Sequence, residues 1–214
     1  MKPFIATTIW GGAHPNYLDS LVKFCATYGA PFTFRQEMGD GIGAARDRCA
    51  GNFLRSDCTD LLFIDSDIGF SVADVRRILS HDVDVVGGCY PLKQDGTPTL
   101  VLSPIELSEP GPNGLQECHA VGTGFLRIRR NVFEEMREEY AGLAYTSDNG
   151  LLEHHYFDSY VEGGRLWGED IGFCRRWRAM GGKIFADYGI RLNHSGNKIF
   201  RCEPELQSKP QTKG

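Results

Sequence analysis

The feature that most constrains the fold is a regular alternation of short apolar runs with helix-patterned segments in the first 90 residues. The apolar runs have the length and composition of buried strands and lie at residues 4–10, 32–38, 61–65 and 83–90. The intervening segments show helical spacing and lie at residues 16–28, 42–54 and 71–79, the last with Ser71 as its cap. Strands joined through helices pair in parallel. The sequence therefore predicts an α/β fold whose largely parallel sheet is covered by helices on both faces.

The second half of the chain adds strands and helices around a region of different composition. Residues 91–117 are rich in Pro, Gly and Ser, and we expect loops and a hairpin there. Beyond them the pattern predicts a strand at 120–130, helices at 131–140 and 168–180, and a last strand at 183–188 or 189–194. We expect a single domain over residues 1–202. Residues 203–214 have almost nothing to bury and are expected to form a flexible tail.

Composition excludes several classes of protein. The 214 residues are 41% hydrophobic and 24% charged, which is typical of a globular protein, and the net charge of −5 argues against a general nucleic-acid binder. The seven cysteines are odd in number and lack C-x-x-C spacing, so we expect reduced thiols rather than disulfides or structural zinc. No apolar run approaches the ~20 residues of a membrane span. We expect a soluble, cytoplasmic protein.

The stretch LLFIDSDIGF places two carboxylates, Asp65 and Asp67, just after a predicted buried strand. In open α/β sheets, ligands bind beyond the carboxyl ends of the strands. With a side-chain period of two, both carboxylates would point the same way and could share one cation, for which oxygen ligands favour Mg²⁺ or Mn²⁺. The alternative is that Asp65 ends the strand and Asp67 lies in a solvated turn.

Four segments in this order resemble the GT-A class of nucleotide-sugar glycosyltransferases, especially its small virus-encoded and bacterial members. They are GIGAARDRCAGNFL, TDLLFIDSDIGF with YPLK downstream, VGTGFLRIRRNVFEEM, and GEDIGFCRRWRAMGGKIFADYGIRLNHSG, and with the first strand they span residues 4–196. D-x-D alone is weak evidence, but D-x-D, G-x-G, G-E-D and H-x-G in this order form a specific set. The resemblance implies a GT-A, Rossmann-like three-layer sandwich and transfer of a sugar from a nucleoside diphosphate, most often UDP, to an acceptor hydroxyl.

The resemblance also implies roles for acidic residues and one histidine. Asp65 and Ser66 would contact the ribose and diphosphate, while Asp65, Asp67 and His194 would bind Mn²⁺ or Mg²⁺; a surface-loop position is the alternative for His194. In the Glu169–Asp170 pair at a helix start, Asp170 would be the catalytic base of an inverting transfer. A helix N-terminus also stabilises carboxylates that have no catalytic role. The alternative for Glu169 and Asp170 is therefore that they only stabilise the start of the helix.

Further residues are assigned by position in the same resemblance. The donor-binding set is Thr7, Thr8, Trp10, Arg46, Lys93, Gly122 and Gly124, and the weaker acceptor set is Trp167 and His155. Arg46 could instead pair with Asp47 or Asp57 on a solvated helix face, and tight packing would equally explain the glycines. The acceptor would be a glycan or another hydroxyl, with a hydroxylated DNA base as the minority expectation.

Three alternatives compete with this interpretation. Residues 39–44, GDGIGA, fit the G-x-G-x-x-A dinucleotide motif, and Asp65 follows about 20 residues later, as an NAD-dependent oxidoreductase would require. That motif normally follows the first strand, whereas a complete strand and helix precede it here. A nucleotidyltransferase would be expected to carry a basic loop after the first strand, which WGGAHPNY lacks. The third alternative is a nucleotide-sugar or glycan-binding module without turnover.

Overall fold

The computed structural model describes residues 2–38, 41–95, 100–105 and 110–202. Its elements follow one another in this order: β1 (Pro3–Ile9), α1 (Pro15–Thr27), β2 (Thr33–Met38), α2 (Ile42–Leu54), β3 (Asp60–Ile64), β4 (Ile68–Gly69), α3 (Val72–Ser80), β5 (Val85–Cys89), β6 (Leu102–Pro104), β7 (Leu115–Val121), β8 (Phe125–Arg129), α4 (Arg130–Glu139), a 3₁₀ turn (Ala141–Leu143), β9 (Ala144–Thr146), β10 (Leu152–His154), β11 (Tyr160–Glu162), β12 (Arg165–Trp167), α5 (Glu169–Ala179), β13 (Ile184–Arg191), β14 (Asn193–Ser195) and β15 (Ile199–Phe200). The predicted alternation of strands and helices over the first 90 residues is confirmed.

The central sheet has the strand order β2-β1-β3-β8-β5-β13-β7-β6 in the described part of the chain. The β1–β2, β1–β3 and β5–β13 pairs are parallel, while β8 runs antiparallel to β3 and β5, and β7 runs antiparallel to β13 and β6. Six of these eight strands therefore point the same way. The predicted α/β fold with a mostly parallel sheet is confirmed, with two antiparallel strands that the helical connections did not predict.

The single strand predicted at 120–130 is wrong. Residues 122–124 form a turn, so the run is divided into the end of β7 and all of β8. The hairpin expected in 91–117 corresponds in part to β6 and β7, which pair antiparallel. The last strand was expected at 183–188 or 189–194; β13 covers most of the first range and half of the second, and β14 and β15 follow it, so neither alternative is the last strand.

Two hydrophobic clusters lie on the two faces of the sheet. Alternate residues of one strand enter different clusters: Leu61 and Phe63 pack with α2, α4 and α5, whereas Leu62 and Ile64 pack with α1 and α3. Since successive side chains of a strand point to opposite faces, this division is what a three-layer sandwich requires. The helices thus cover both faces, as predicted.

Local sequence signals explain where several elements begin. Ser71 and Asp74 form a reciprocal capping box at the start of α3, in which the Ser71 hydroxyl accepts from the Asp74 amide and the Asp74 carboxylate accepts from the Ser71 amide. Pro15 occupies the first turn of α1. The first part of the GDGIGA motif, residues 39–40, and the predicted tail, residues 203–214, lie outside the described residues. Within the described residues, no helix is both long and apolar enough to span a membrane.

Candidate active site

Asp65 follows directly after β3, and several contacts fix its position. Ile64 pairs with Phe125, and the Asp65 amide donates to the Gly124 carbonyl at 2.9 Å. The Thr8 hydroxyl, at the end of β1, donates to Asp65 Oδ1 at 3.4 Å. Adjacent parallel strands bring these residues to the same edge of the sheet, as the sequence predicted for a ligand site.

Arg46 connects this aspartate to the acidic pair on α5. One guanidinium nitrogen of Arg46 lies 3.2 and 3.3 Å from the two carboxylate oxygens of Asp65, and the other donates to Glu169 Oε1. The side chain is only 2% exposed. Burial acts to lower the pKa of Arg46, but the two carboxylates outweigh it and raise that pKa. The solvated-face alternative for Arg46 is therefore wrong: Asp47 and Asp57 have other partners, His155 and Lys2.

Asp67 faces a different set of partners. Its Oδ2 atom forms an ion pair with the Lys93 ammonium, and its Oδ1 atom lies 3.5 Å from His194 Nε2. Burial would raise the pKa of Asp67, but the nearby His194 and Lys93 side chains outweigh burial and lower it. Oδ1 is buried and has no hydrogen-bond partner among the described residues.

His194, on β14, is oriented by a backbone contact. Its Nδ1 lies 2.8 Å from the Pro91 carbonyl, which can only accept, so Nδ1 donates there and Nε2 is the nitrogen that faces Asp67. A histidine fixed in this way through its second nitrogen is typical of metal ligands. An imidazole and a carboxylate oxygen are suitable ligands for Mn²⁺.

The structure does not bring the full predicted metal set together. No group of three or more His, Cys, Asp or Glu side chains is arranged to hold a metal ion in the ranges that the structure describes. The physical reason lies in the turn after β3, where the Ile68 amide donates to the Asp65 carbonyl at 3.0 Å. The two-residue alternation of side chains along the strand ends at Ile64. The Asp65 side chain therefore faces Arg46, and the Asp67 side chain faces His194.

A cavity of about 240 Å³ lies between these groups and the start of α2. Six of its lining residues belong to the predicted donor and metal sets: Thr8, Trp10, Asp65, Ser66, Asp67 and Lys93. The Ser66 hydroxyl donates to the Gly12 carbonyl at 3.3 Å. The structure does not bring Thr7 to this cavity, because Thr7 is fully buried with its hydroxyl 2.7 Å from that of Tyr17.

Gly122 and Gly124 are explained by close packing against Tyr90. A Cβ on Gly122 would lie 2.2 Å from the Tyr90 hydroxyl, and one on Gly124 would lie 2.8 Å from it. The hydroxyl also accepts from the Gly124 amide at 2.9 Å. Tyr90 is fully buried, and burial raises its pKa far above the ordinary value for tyrosine. The two glycines thus make room for a buried tyrosine beside the site, and their predicted donor contact stays a prediction.

Glu169 and Asp170 open α5, as predicted. Glu169 accepts from Arg46, and Asp170 Oδ1 accepts from the Ile171 amide at 2.7 Å. Burial, together with the charge of Glu169, raises the pKa of Asp170. A carboxyl group with a raised pKa is better matched to proton transfer near neutral pH than an ordinary aspartate.

The two predicted acceptor residues lie in different surroundings. Trp167 lines a second cavity, of about 830 Å³, along α5. His155 Nδ1 lies 2.5 Å from Asp47 Oδ2, and His155 Nε2 lies 3.3 Å from Asp158 Oδ1. The hydrogen bond to Asp47 is the main reason that the pKa of His155 is raised. His155 therefore joins α2 to the segment before α5, and its acceptor contact stays a prediction.

Sequence reasoning missed several residues at the site. Pro91 orients His194 through its carbonyl, and Tyr90 binds the Gly124 amide. Every residue has a backbone carbonyl, so the contact of His194 with the Pro91 carbonyl could not be predicted from the sequence. YPLK does place a buried tyrosine directly after a strand, which is a signal for the Tyr90 contact. Arg165, close to Trp167, was also missed.

Comparison with known proteins identifies the fold. No protein-family model matches the chain, and no curated protein matches it. Among solved structures, A197 from STIV matches over 100% of both chains with 16% identity and a TM-score of 0.60. A nucleoside-diphosphate-sugar pyrophosphorylase from Vibrio cholerae matches 94% of this chain and 95% of its own, with 9% identity and a TM-score of 0.48. A Drosophila β-1,4-galactosyltransferase 7 in complex with manganese, UDP-Gal and xylobiose matches 100% of this chain and 76% of its own, with 12% identity and a TM-score of 0.49. At these identities the matches concern the fold alone. The predicted α/β fold class is confirmed, and the fold is shared with A197.

Proposed function

We propose that the protein is a metal-dependent glycosyltransferase that moves a sugar from a nucleoside diphosphate, UDP by preference, to an acceptor hydroxyl. The observation that carries this proposal is the pairing of Asp67 with His194 beside a cavity that also receives Asp65 and Lys93. A buried arginine links that cavity to the acidic pair on α5. Donor-binding and proton-accepting groups are thereby held at one edge of the sheet.

In this proposal, Asp67 and His194 would hold Mn²⁺ or Mg²⁺, and Asp65 would have to turn from Arg46 to become the third ligand that the resemblance implies. Asp67 Oδ1 is buried without a hydrogen-bond partner among the described residues, and His194 Nε2, the imidazole nitrogen that Pro91 leaves available, lies 3.5 Å from it. The cation supplies charge stabilisation for the departing diphosphate. Lys93, whose ammonium lies at Asp67 Oδ2, is placed to contact a diphosphate oxygen in the same cavity.

Asp170 acts as the base. It accepts the proton of the acceptor hydroxyl as that oxygen attacks the anomeric carbon, and the bond from that carbon to the diphosphate oxygen breaks. A one-step displacement of this kind inverts the carbon. Arg46 holds Glu169 and so fixes the first turn of α5, and the negative charge of Glu169 helps to raise the pKa of Asp170.

Calorimetric titration with UDP, GDP, CDP and NAD, each with Mn²⁺ and with EDTA, tests the proposal. We expect one nucleoside diphosphate to bind only with metal. Asp67→Asn should abolish this metal-dependent binding, whereas Asp82→Asn, at an exposed surface carboxylate, should not change it. Binding of NAD without metal would overturn the proposal and assign the cavity to a dinucleotide instead.

Turnover distinguishes an enzyme from a binding module. We expect Asp170→Asn to keep metal-dependent UDP binding and to lose sugar transfer by about 10²-fold or more, the contribution of general base catalysis. Full activity in Asp170→Asn would refute the base assignment. Donor binding without any transfer in the parent protein would favour the non-catalytic module.

A further inference from the structure

The 830 Å³ cavity along α5 is lined by an excess of cationic side chains. Four arginines reach it: Arg165 on β12, and Arg175, Arg176 and Arg178 on α5. In the described part of the chain, Glu162 is the single carboxylate that lines it. This local balance is opposite in sign to the net charge of −5 of the whole chain.

Three of the arginines are partly neutralised and one is not. Arg175 pairs with Glu162, and Arg176 donates to Asp158 at 2.7 Å. Arg178 lies 3.5 Å from Glu117, but that carboxylate is shared with Lys183 at the same distance. Arg165 pairs with Glu162 through the β11–β12 ladder, but its side chain has no ion pair or hydrogen bond to any described residue and lies against the Trp167 ring. The positive charge of the wall is therefore incompletely compensated.

Trp167 is in contact with two of these cations. The guanidinium carbon of Arg165 lies 4.3 Å from the Trp167 ring centroid, and that of Arg175 lies 4.5 Å from it. Each contact is favourable for a cation on an aromatic ring, but two like charges on one ring repel each other. An anion beside them would relieve this repulsion, and a planar guanidinium binds a carboxylate or phosphate through two nitrogens.

This cavity also lies next to the proposed base. Gly168 and Ile171 both line it, and both are in contact range of Asp170. A Cβ on Gly168 would lie 3.2 Å from Asp170 Oδ1, and the Ile171 amide donates to the same oxygen at 2.7 Å. Asp170 is not itself among the lining residues, so a hydroxyl of a molecule in the cavity would have to reach it past Gly168 and Ile171.

We propose that the cavity binds the acceptor and that the acceptor is an anionic sugar, whose carboxylate or phosphate is held by Arg165 and Arg175. The role as acceptor rests on the function proposed above, whereas the binding of an anionic sugar can be measured without any donor. Tyr140 and Tyr160 also line the cavity; the Tyr160 hydroxyl accepts from Arg175 Nε at 3.0 Å and can still donate to the uncharged part of the sugar.

Ligand-observed NMR and calorimetry test this proposal with three disaccharides, without nucleotide or metal. One ends in glucuronic acid, one in glucose 6-phosphate and one in glucose. We expect one or both of the charged disaccharides to bind, more weakly as salt is added, and the neutral one to bind at least tenfold more weakly. The two charged ligands distinguish a carboxylate from a phosphate as the recognised group.

Substitutions locate the binding. Arg165→Gln should weaken binding of the charged disaccharide by about tenfold, as expected for one charge-assisted hydrogen bond. Arg35→Gln, which removes an exposed arginine from the edge strand β2, should leave it unchanged. Thermal unfolding of each variant checks that it is folded.

Several results would overturn the proposal. They are equal binding of neutral and charged disaccharides, binding of neither, equal loss in Arg165→Gln and Arg35→Gln, or binding of a single-stranded oligonucleotide alone. Because no donor is present, failure here leaves the UDP titration unaffected. Conversely, anionic binding with no UDP binding would refute the proposed transferase and retain the anionic-sugar site.

Discussion

At the scale of single residues, the lysine beside Asp67 occupies a position that a cation would otherwise take. Lys93 places its ammonium on Asp67 Oδ2, and its aliphatic chain packs against Gly196, where a Cβ would lie 3.2 Å from Lys93 Cδ. An ammonium and a metal ion both neutralise the same carboxylate, so they compete for it. In the absence of metal, Lys93 lowers the electrostatic cost of the partly buried Asp67.

Replacing Lys93 should therefore strengthen metal binding while weakening nucleotide binding. For Lys93→Met, we expect Mn²⁺ affinity to rise by about 1.4- to fivefold, which corresponds to the ~0.2–1 kcal/mol of a partly exposed ion pair. Electron paramagnetic resonance of free Mn²⁺ measures this. Lys23→Met, at an exposed lysine of α1, is the matched control and should show no change. Weaker Mn²⁺ binding in Lys93→Met would contradict the competition.

The position of the acidic limb in the pH–rate profile of sugar transfer should depend on Glu169. Burial and the charge of Glu169 raise the pKa of Asp170, and a base works only when it is deprotonated, so the rate should fall as pH drops through that raised pKa. Glu169→Gln removes the neighbouring negative charge and lowers the pKa of Asp170. The pH–rate profile of this variant should then have its acidic limb at lower pH. An unmoved limb would show that another group controls the rate.

Single residues at the site could be predicted as far as their position relative to strand and helix ends. Asp65, Asp67, Thr8 and Lys93 do line one cavity, because parallel strands bring their carboxyl ends together. The sequence analysis assigned Thr7 and Thr8 to the same site, although successive side chains of a strand point to opposite faces of the sheet. Contacts to backbone carbonyls, such as His194 with Pro91, depend on tertiary packing and leave no mark in the sequence.

At the scale of secondary structure elements, the turn between β7 and β8 determines how the sheet is assembled. It allows β8 to enter between β3 and β5 in the antiparallel direction, and it delivers the Gly124 carbonyl to the Asp65 amide. The sequence VGTGFLRIRR has strand propensity on both sides of two glycines, so it was predicted as one strand. Which strands become neighbours is decided by pairing between distant segments, which local patterns do not encode.

Enlarging Gly124 should disturb this turn. A Cβ on Gly124 would lie 2.8 Å from Tyr90 Cζ, so we expect Gly124→Ala to lower the free energy of unfolding by about 1–3 kcal/mol, as for other overpacked sites. Gly142→Ala is the matched control, because a Cβ there has no atom within 4 Å. Urea unfolding measures both. Equal stability of the two variants would show that Tyr90 moves without cost.

At the scale of the whole molecule, a buried charge cluster joins α2 to the segment that leads into α5. Asp47 is fully buried, where burial raises its pKa despite opposing contacts from His155 and the Phe157 amide. His155 in turn contacts Asp158, which accepts from Arg176 on α5. The three-layer arrangement could be predicted from hydrophobic periodicity. The polar connection inside it could not, because Asp47 lies about a hundred positions before the residues that it joins.

The stability of the protein should depend on pH through His155. Its pKa is raised in the folded state, so its contribution is fully present below the unfolded pKa of ~6.5 and is lost as pH rises through the folded pKa. We expect His155→Gln to lower the melting temperature most at acidic pH, with the difference shrinking above the folded pKa. Thermal unfolding of both proteins across this range is the measurement. A difference that grows with pH would contradict the sign.

The three tryptophans of the chain differ so much in their surroundings that they form a set of built-in optical reporters. Trp10 is 73% exposed at the smaller cavity. Trp167 lies against two guanidinium groups at the larger cavity. Trp177 is 4% exposed in the core, where its Nε1 donates to the Lys183 carbonyl at 3.2 Å. Emission from Trp10 therefore reports on occupancy of one cavity and emission from Trp167 on the other, while Trp177 reports on unfolding. Replacing one tryptophan at a time by phenylalanine would let the order in which the two cavities fill be followed by fluorescence, without labelling the protein.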